Sequence, residues 1–242
     1  MRKLDFKTNV QNVFDKMTFK DEYEIDAFSN YIGLKGIYLH KQIYDLLIEE
    51  LGECSYSLLS KILIYDKGLR NVLFKYLSAL EEYLRSKLFD NFDYDFIIED
   101  PFNHKISIKN LVSRKNSTSS NLYYITFSRF FTFHTLIDVC YKVNLISENE
   151  KTKYEVVKKL RNRTMHHNIL VTSFHTRLDD VEKNITNLEM ELEVLYRTLP
   201  EEFRYEYNKA INRCNNIGTK INTANIDILC LGVMNNGIFE KN

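Results

Sequence analysis

Leu69-Arg70-Asn71-Val72-Leu73-Phe74-Lys75-Tyr76-Leu77-Ser78-Ala79-Leu80-Glu81-Glu82-Tyr83-Leu84-Arg85-Ser86-Lys87-Leu88 is the stretch on which the fold turns. Leu69, Val72, Leu73, Tyr76, Leu77, Leu80, Leu84 and Leu88 recur at spacings of three and four, which draws one apolar stripe along a helix. The periodicity predicts an amphipathic helix from Leu69 to Phe92. Glu81 and Arg85 are four apart on it, a spacing at which an exposed pair contributes about 0.3–0.5 kcal/mol.

The rest of the chain is read outward from that helix. Two prolines and seven glycines in 242 residues leave room for long helices. They argue against a many-turned β sandwich or a Gly-rich phosphate-binding fold. From Asp21 to Leu51 the apolar spacing predicts two helices broken near Gly33 and Gly36, with Gly52 as the stop of the second. The pattern fades after Asp93. Asp100-Pro101 and the run Ser113-Arg114-Lys115-Asn116-Ser117-Thr118-Ser119-Ser120 predict a polar loop around 100–121, either a substrate-facing segment or a solvated connector. Leu122 to Val143 is strongly aromatic and predicts a central core helix, with His134 as a core histidine. Ser147 and Glu150 form a capping box that opens a helix through Val156, Val157 and Leu160 into Arg161. Asp179 to Leu199 is a further helix closed by Pro200, Glu201 to Asn215 another, and Ile217 to Asn242 a short helix or a frayed end. The expected fold is all-α, a helical bundle in one domain spanning 1–242.

An apolar fraction of 44% marks a folding sequence. Net charge is zero, with 33 basic and 33 acidic residues, whereas a nucleic-acid binder often carries a basic surplus. Any RNA contact therefore has to come from a local basic patch. Cys54, Cys140, Cys214 and Cys230 are scattered with no Cys-x-x-Cys pair, so no zinc site or disulfide framework is expected. The first residues lack an apolar signal core, and no apolar run reaches the roughly 18 residues of a membrane span. A cytoplasmic protein without membrane contact is the expectation.

Chemistry concentrates in Lys158-Lys159-Leu160-Arg161-Asn162-Arg163-Thr164-Met165-His166-His167-Asn168. On a helix Asn162 and His166 nearly stack, whereas Arg161 and His166 lie about 140° apart around the axis. They meet only if the helix loosens near His167-Asn168 or if two copies face each other across a symmetry axis. Such a set supports RNA cleavage by the neighbouring 2′-hydroxyl. Histidine titrates near neutrality and serves as base or acid. Arginine presents a planar fork to phosphate oxygens, and asparagine steadies the ring or the phosphate. No cofactor or metal is called for. The same basic residues also complement the dipole at a helix C-terminus.

Leu160-Arg161-Asn162-Arg163-Thr164-Met165-His166-His167 resembles the Arg-Asn-x-x-x-His motif of the HEPN superfamily, and specifically its Abi-like (abortive infection) branch. Asp66-Lys67-Gly68-Leu69-Arg70 followed by Leu80-Glu81-Glu82-Tyr83-Leu84-Arg85-Ser86-Lys87-Leu88 resembles a second helix of that branch. The resemblance covers about residues 20–200 and leaves 201–242 as an extension. It implies a HEPN-like bundle whose homodimer joins two motifs into one metal-independent endoribonuclease site, in phage defence or toxin–antitoxin growth arrest. It makes Arg161 and His166 catalytic and Asn162 supportive. His167, Arg163, Glu81 and Arg85 are possible supporting residues, and Lys158 and Lys159 are RNA contacts. An antitoxin, protein or non-coding RNA, is a further possible partner. Met165 stands where the branch usually has a small residue. Asn168 stands where one subgroup carries a tyrosine, so silencing by modification there is not expected. The competing class is a non-catalytic helical module that binds RNA or protein through the same segment.

Overall fold

The computed structural model describes residues 13–91, 131–166, 169–171, 178–219 and 231–240. They are mostly helical. Helices α1 (Glu22–Lys35), α2 (Ile37–Leu51), α3 (Tyr56–Asn91), α4 (Phe133–Lys142), α5 (Glu148–Met165), α6 (Leu178–Thr198) and α7 (Glu201–Thr219) carry the architecture. Two small strand pairs qualify the all-α expectation. β1 (Met17–Thr18) lies parallel to β2 (Cys54–Ser55), and β3 (Val233–Asn235) pairs antiparallel with β4 (Ile238–Glu240).

The helix predicted over Leu69 to Phe92 begins thirteen residues earlier, at Tyr56. Its apolar stripe extends backward through Leu59, Ile62 and Tyr65, all fully buried. Gly68 does not break it. A Cβ there would meet Cys214 Sγ of α7 at 3.9 Å, so the position marks close helix packing. The helix lies at the centre, touching α1, α2, α4, α5 and α7. Leu69, Leu73, Leu77, Leu80, Leu84 and Leu88 are inaccessible to solvent or nearly so. Burying one such side chain stabilises the fold by about 2 kcal/mol.

Punctuation follows the sequence with one shift. Gly33 stays inside α1, and the break falls at Gly36 alone, where φ is +81°. Gly52 closes α2 in the left-handed region, its N–H donating to Ile48 O at 2.9 Å. Leu199-Pro200 separates α6 from α7. Of the aromatic stretch, Leu122–Arg129 and Phe130 lie outside the described residues. The described helix α4 starts at Phe133, with Thr132 accepting from Thr135 N–H as its cap. One of its faces is core, with Phe133, Leu136, Ile137, Val139 and Cys140 buried. The other carries His134, whose side chain is 57% exposed, so the core-histidine expectation is corrected. The polar loop around 100–121 also lies outside the described residues.

The C-terminal expectation, a short helix or a frayed end, is corrected to a hairpin. Asn236 (φ +48°) and Gly237 (φ +85°) turn between β3 and β4, the double positive φ that a two-residue hairpin turn needs. Asn212 of α7 binds the hairpin like a strand neighbour: its Nδ2 donates to Met234 O at 2.9 Å and its Oδ1 accepts from Met234 N–H at 2.8 Å. No helix among the described residues is long and apolar enough to cross a membrane.

Candidate functional site

The motif occupies the last turn of α5, a helix of low apolarity held by its capping. Ser147 Oγ accepts from Glu150 N–H at 3.2 Å, and Glu150 Oε2 accepts from Ser147 N–H at 2.7 Å. A cap of this kind is worth about 1 kcal/mol. Tyr154, Val157, Leu160 and Thr164 form the buried face, which leaves Arg161 at its edge and Asn162 and His166 in solvent. The helix ends at Met165. His166 is its C-cap, with N–H donating to Asn162 O at 3.0 Å. Met165 packs half-buried against the core, so the larger residue before the histidine is accommodated. His167 and Asn168 lie outside the described residues.

Arg161 turns toward α3. Its Nη2 donates to Glu81 Oε2 at 3.3 Å, while Arg85 Nη2 donates to the other oxygen, Glu81 Oε1, at 2.8 Å. Arg85 also donates to Phe131 O at 3.3 Å, just ahead of α4. One carboxylate thus takes two guanidinium groups from different helices. The Arg161 contact is long for a charge-assisted bond, which normally spans about 2.7–2.9 Å. Its Nε is buried and has no partner among the described residues. Arg161 is therefore oriented by Glu81 and stays partly open to solvent. Arg163 leaves the helix elsewhere and pairs with Glu191 of α6, where burial pushes the Glu191 carboxyl up against the pull of Arg163. That makes Arg163 a brace between α5 and α6. Lys158 is engaged by Glu155 and His134, and Lys159 is exposed.

The structure therefore brings Arg161, Glu81 and Arg85 together, and sets Asn162 and His166 one turn apart on another face. Within one chain Arg161 and His166 do not share a face. The chain beyond the motif is anchored by Asp66 of α3. Its Oδ1 accepts from Leu170 N–H at 2.7 Å and Val171 N–H at 3.4 Å, and its Oδ2 pairs with Arg70 Nε at 2.8 Å. Burial pushes this carboxyl up, and Arg70 with the two N–H groups opposes the shift. Asp66 and Arg70 belong to the sequence stretch singled out beside the central helix, but their role as an anchor for the motif's exit depends on contacts more than 100 residues apart.

Two clusters were not legible in advance. A cleft of about 230 Å³ opens between α3, the start of α5 and the α6–α7 turn, lined by Tyr83, Lys87, Glu150, Lys153, Arg197 and Arg204 among others. Four cations against one carboxylate make it a local basic surface. Ser147 N–H and hydroxyl, with Lys87 and Lys153 nearby, hold Glu150 below its ordinary range. The other cluster is His134, Asp138 and Glu155, where α4 faces α5. The i,i+4 pair His134/Asp138 was visible in the sequence, but its place opposite Glu155 was not.

Comparison with protein-family profiles, with curated proteins and with solved structures found no match to this chain.

Proposed function

We propose that the chain is a metal-independent endoribonuclease of the abortive-infection type, acting as a homodimer through Arg161, Asn162 and His166. The observation that carries the reading is Arg161, aimed by Glu81 and still partly open to solvent, five residues before an exposed His166. In the proposed reaction His166 takes the 2′-hydroxyl proton, and the 2′-oxygen attacks the adjacent phosphorus. The P–O5′ bond breaks, and a second imidazole or water returns a proton to the leaving 5′-oxygen. Arg161 carries the charge that builds on the non-bridging oxygens. The products are a 2′,3′-cyclic phosphate and a free 5′-hydroxyl. Because Arg161 and His166 leave α5 on different faces, the site is completed by the second copy. The basic cleft supplies the local positive surface that a chain of zero net charge needs to hold RNA. The reading is tested by incubating wild type and His166→Ala with total and transfer RNA in EDTA, followed by end-group analysis. Cleavage by wild type alone, with cyclic phosphate ends, is the expected result.

The angular separation of Arg161 and His166 within one chain also favours a second reading, a non-catalytic RNA- or protein-binding helical module. That reading predicts intact RNA and equal binding by both proteins in the same experiment.

A further inference from the structure

We propose that His134, Asp138 and Glu155 form a site for a divalent ion of the zinc type that ties α4 to α5. One donor atom from each residue lies within 4.8 Å of the others. His134 and Asp138 are one turn apart on α4, and Glu155 reaches across from α5. His134 Nε2 is 3.4 Å from Asp138 Oδ2, and His134 Nδ1 is 3.8 Å from Glu155 Oε1. Tetrahedral ligands at about 2.1 Å from zinc stand about 3.4 Å apart, so the His134–Asp138 bite is already that of a bound ion. Glu155 Oε1 stands on the Nδ1 side of the ring, so its carboxylate has to swing toward Nε2 to become the third ligand.

The lysines around the cluster hold the outer oxygens. Lys151 Nζ lies 3.1 Å from Asp138 Oδ1, and Lys158 pairs with Glu155 Oε2. The inner oxygens, Asp138 Oδ2 and Glu155 Oε1, face the imidazole at Nε2 and Nδ1 respectively. Outer partners of this kind fix the direction of a ligating carboxylate. A nitrogen with two carboxylate oxygens is a borderline donor set that suits zinc, cobalt or nickel better than calcium. Metal on Nε2 places the ring proton on Nδ1, so Lys158 gives up its 3.3 Å contact to Nδ1 and keeps Glu155. The ion then links two helices that otherwise meet through side-chain packing and ion pairs.

The site lies about three turns along α5 from His166, and its test reads metal binding, so it stands or falls separately from the ribonuclease reading. The full chain, stripped with EDTA and dialysed, is titrated with Zn²⁺ and with Co²⁺ by calorimetry and visible absorption. The expected result is one ion per chain and a metal-induced rise in melting temperature. His134→Ala, Asp138→Asn and Glu155→Gln each weaken binding by about tenfold or more and abolish the rise. Circular dichroism of the metal-free variants checks folding, and the near-isosteric Asp138→Asn and Glu155→Gln decide the matter if the alanine variant does not fold. No binding, or binding that all three variants leave unchanged, overturns the proposal and leaves the cluster an ion-pair network only.

Discussion

Arg161 of α5 and Glu81 of α3, 80 residues apart in sequence, meet at 3.3 Å on a carboxylate that Arg85 also grips at 2.8 Å. Glu81 is thus a positioning residue for Arg161. Glu81→Gln is expected to cost about 1 kcal/mol or less, since all three side chains are partly solvated, which moves the melting temperature by about 2–4 °C. Cleavage falls further than stability does, by roughly tenfold, because a misplaced guanidinium loses its aim. Melting curves and initial rates on the same preparations check both halves. An unchanged rate sinks the positioning role.

Asp66 anchors the segment leaving α5. Removing it strands two buried N–H groups and takes a buried carboxylate away from Arg70, so Asp66→Ala is expected to cost about 3–5 kcal/mol in urea unfolding. Asp66→Asn keeps an acceptor for Leu170 N–H and costs less. Equal losses for the two variants would show that the carboxylate does not act through those N–H groups.

Burial pushes the His40 imidazole below its ordinary 6.5, and its Nδ1–H donates to Gly36 O at 3.2 Å. The unfolded chain therefore binds the proton more readily than the folded one. Stability from this group is full above about 6.5 and is lost as pH falls toward the depressed folded value. His40→Gln is expected to flatten the difference in unfolding free energy between about pH 7 and pH 5. A slope identical to wild type contradicts the assignment.

Gly237 holds the hairpin turn at φ +85°, and an added Cβ would stand 2.3 Å from Tyr196 Cδ1 and Cε1. Gly237→Ala is expected to cost about 1–3 kcal/mol, read from thermal melts. Asn236→Gly, which suits the same turn, is expected to cost little. If Gly237→Ala melts like wild type, the turn does not have the described geometry.

Lys87 and Lys153 make the α3–α5 cleft basic. The double variant Lys87→Glu/Lys153→Glu is expected to weaken RNA binding and to lessen its salt dependence, measured by fluorescence anisotropy at two salt concentrations. An unaltered salt slope would place the RNA contact elsewhere.

Local signals were legible wherever one short stretch contains its own cause. Ser147 and Glu150 cap α5 within four residues, Gly52 ends α2 by its own φ, and the leucine stripe of α3 declares its buried face. What escaped depends on contacts distant in sequence. Tyr56–Gly68 joins α3 because Leu59, Ile62 and Tyr65 find a core, and His134 stays exposed because it sits at the outer edge of the α4–α5 seam, beside Lys158 and Glu155. The pairing of Arg163 with Glu191, not with the candidate site, needed the α5–α6 packing to be seen. Asn236-Gly237 carries a short-range turn signal, but the hairpin it makes is held by Asn212 of α7, distant in sequence.

The most direct test of the central claim, that Arg161 and His166 act together across two copies, is complementation. Arg161→Ala and His166→Ala are assayed alone in EDTA and then co-refolded at equal concentrations. Each alone is expected to be inactive. The mixture is expected to recover cleavage, since about half the dimers are mixed and each mixed dimer retains an intact Arg161 on one copy and an intact His166 on the other. Wild-type rates from either single variant, or a mixture that stays inactive, would contradict the account.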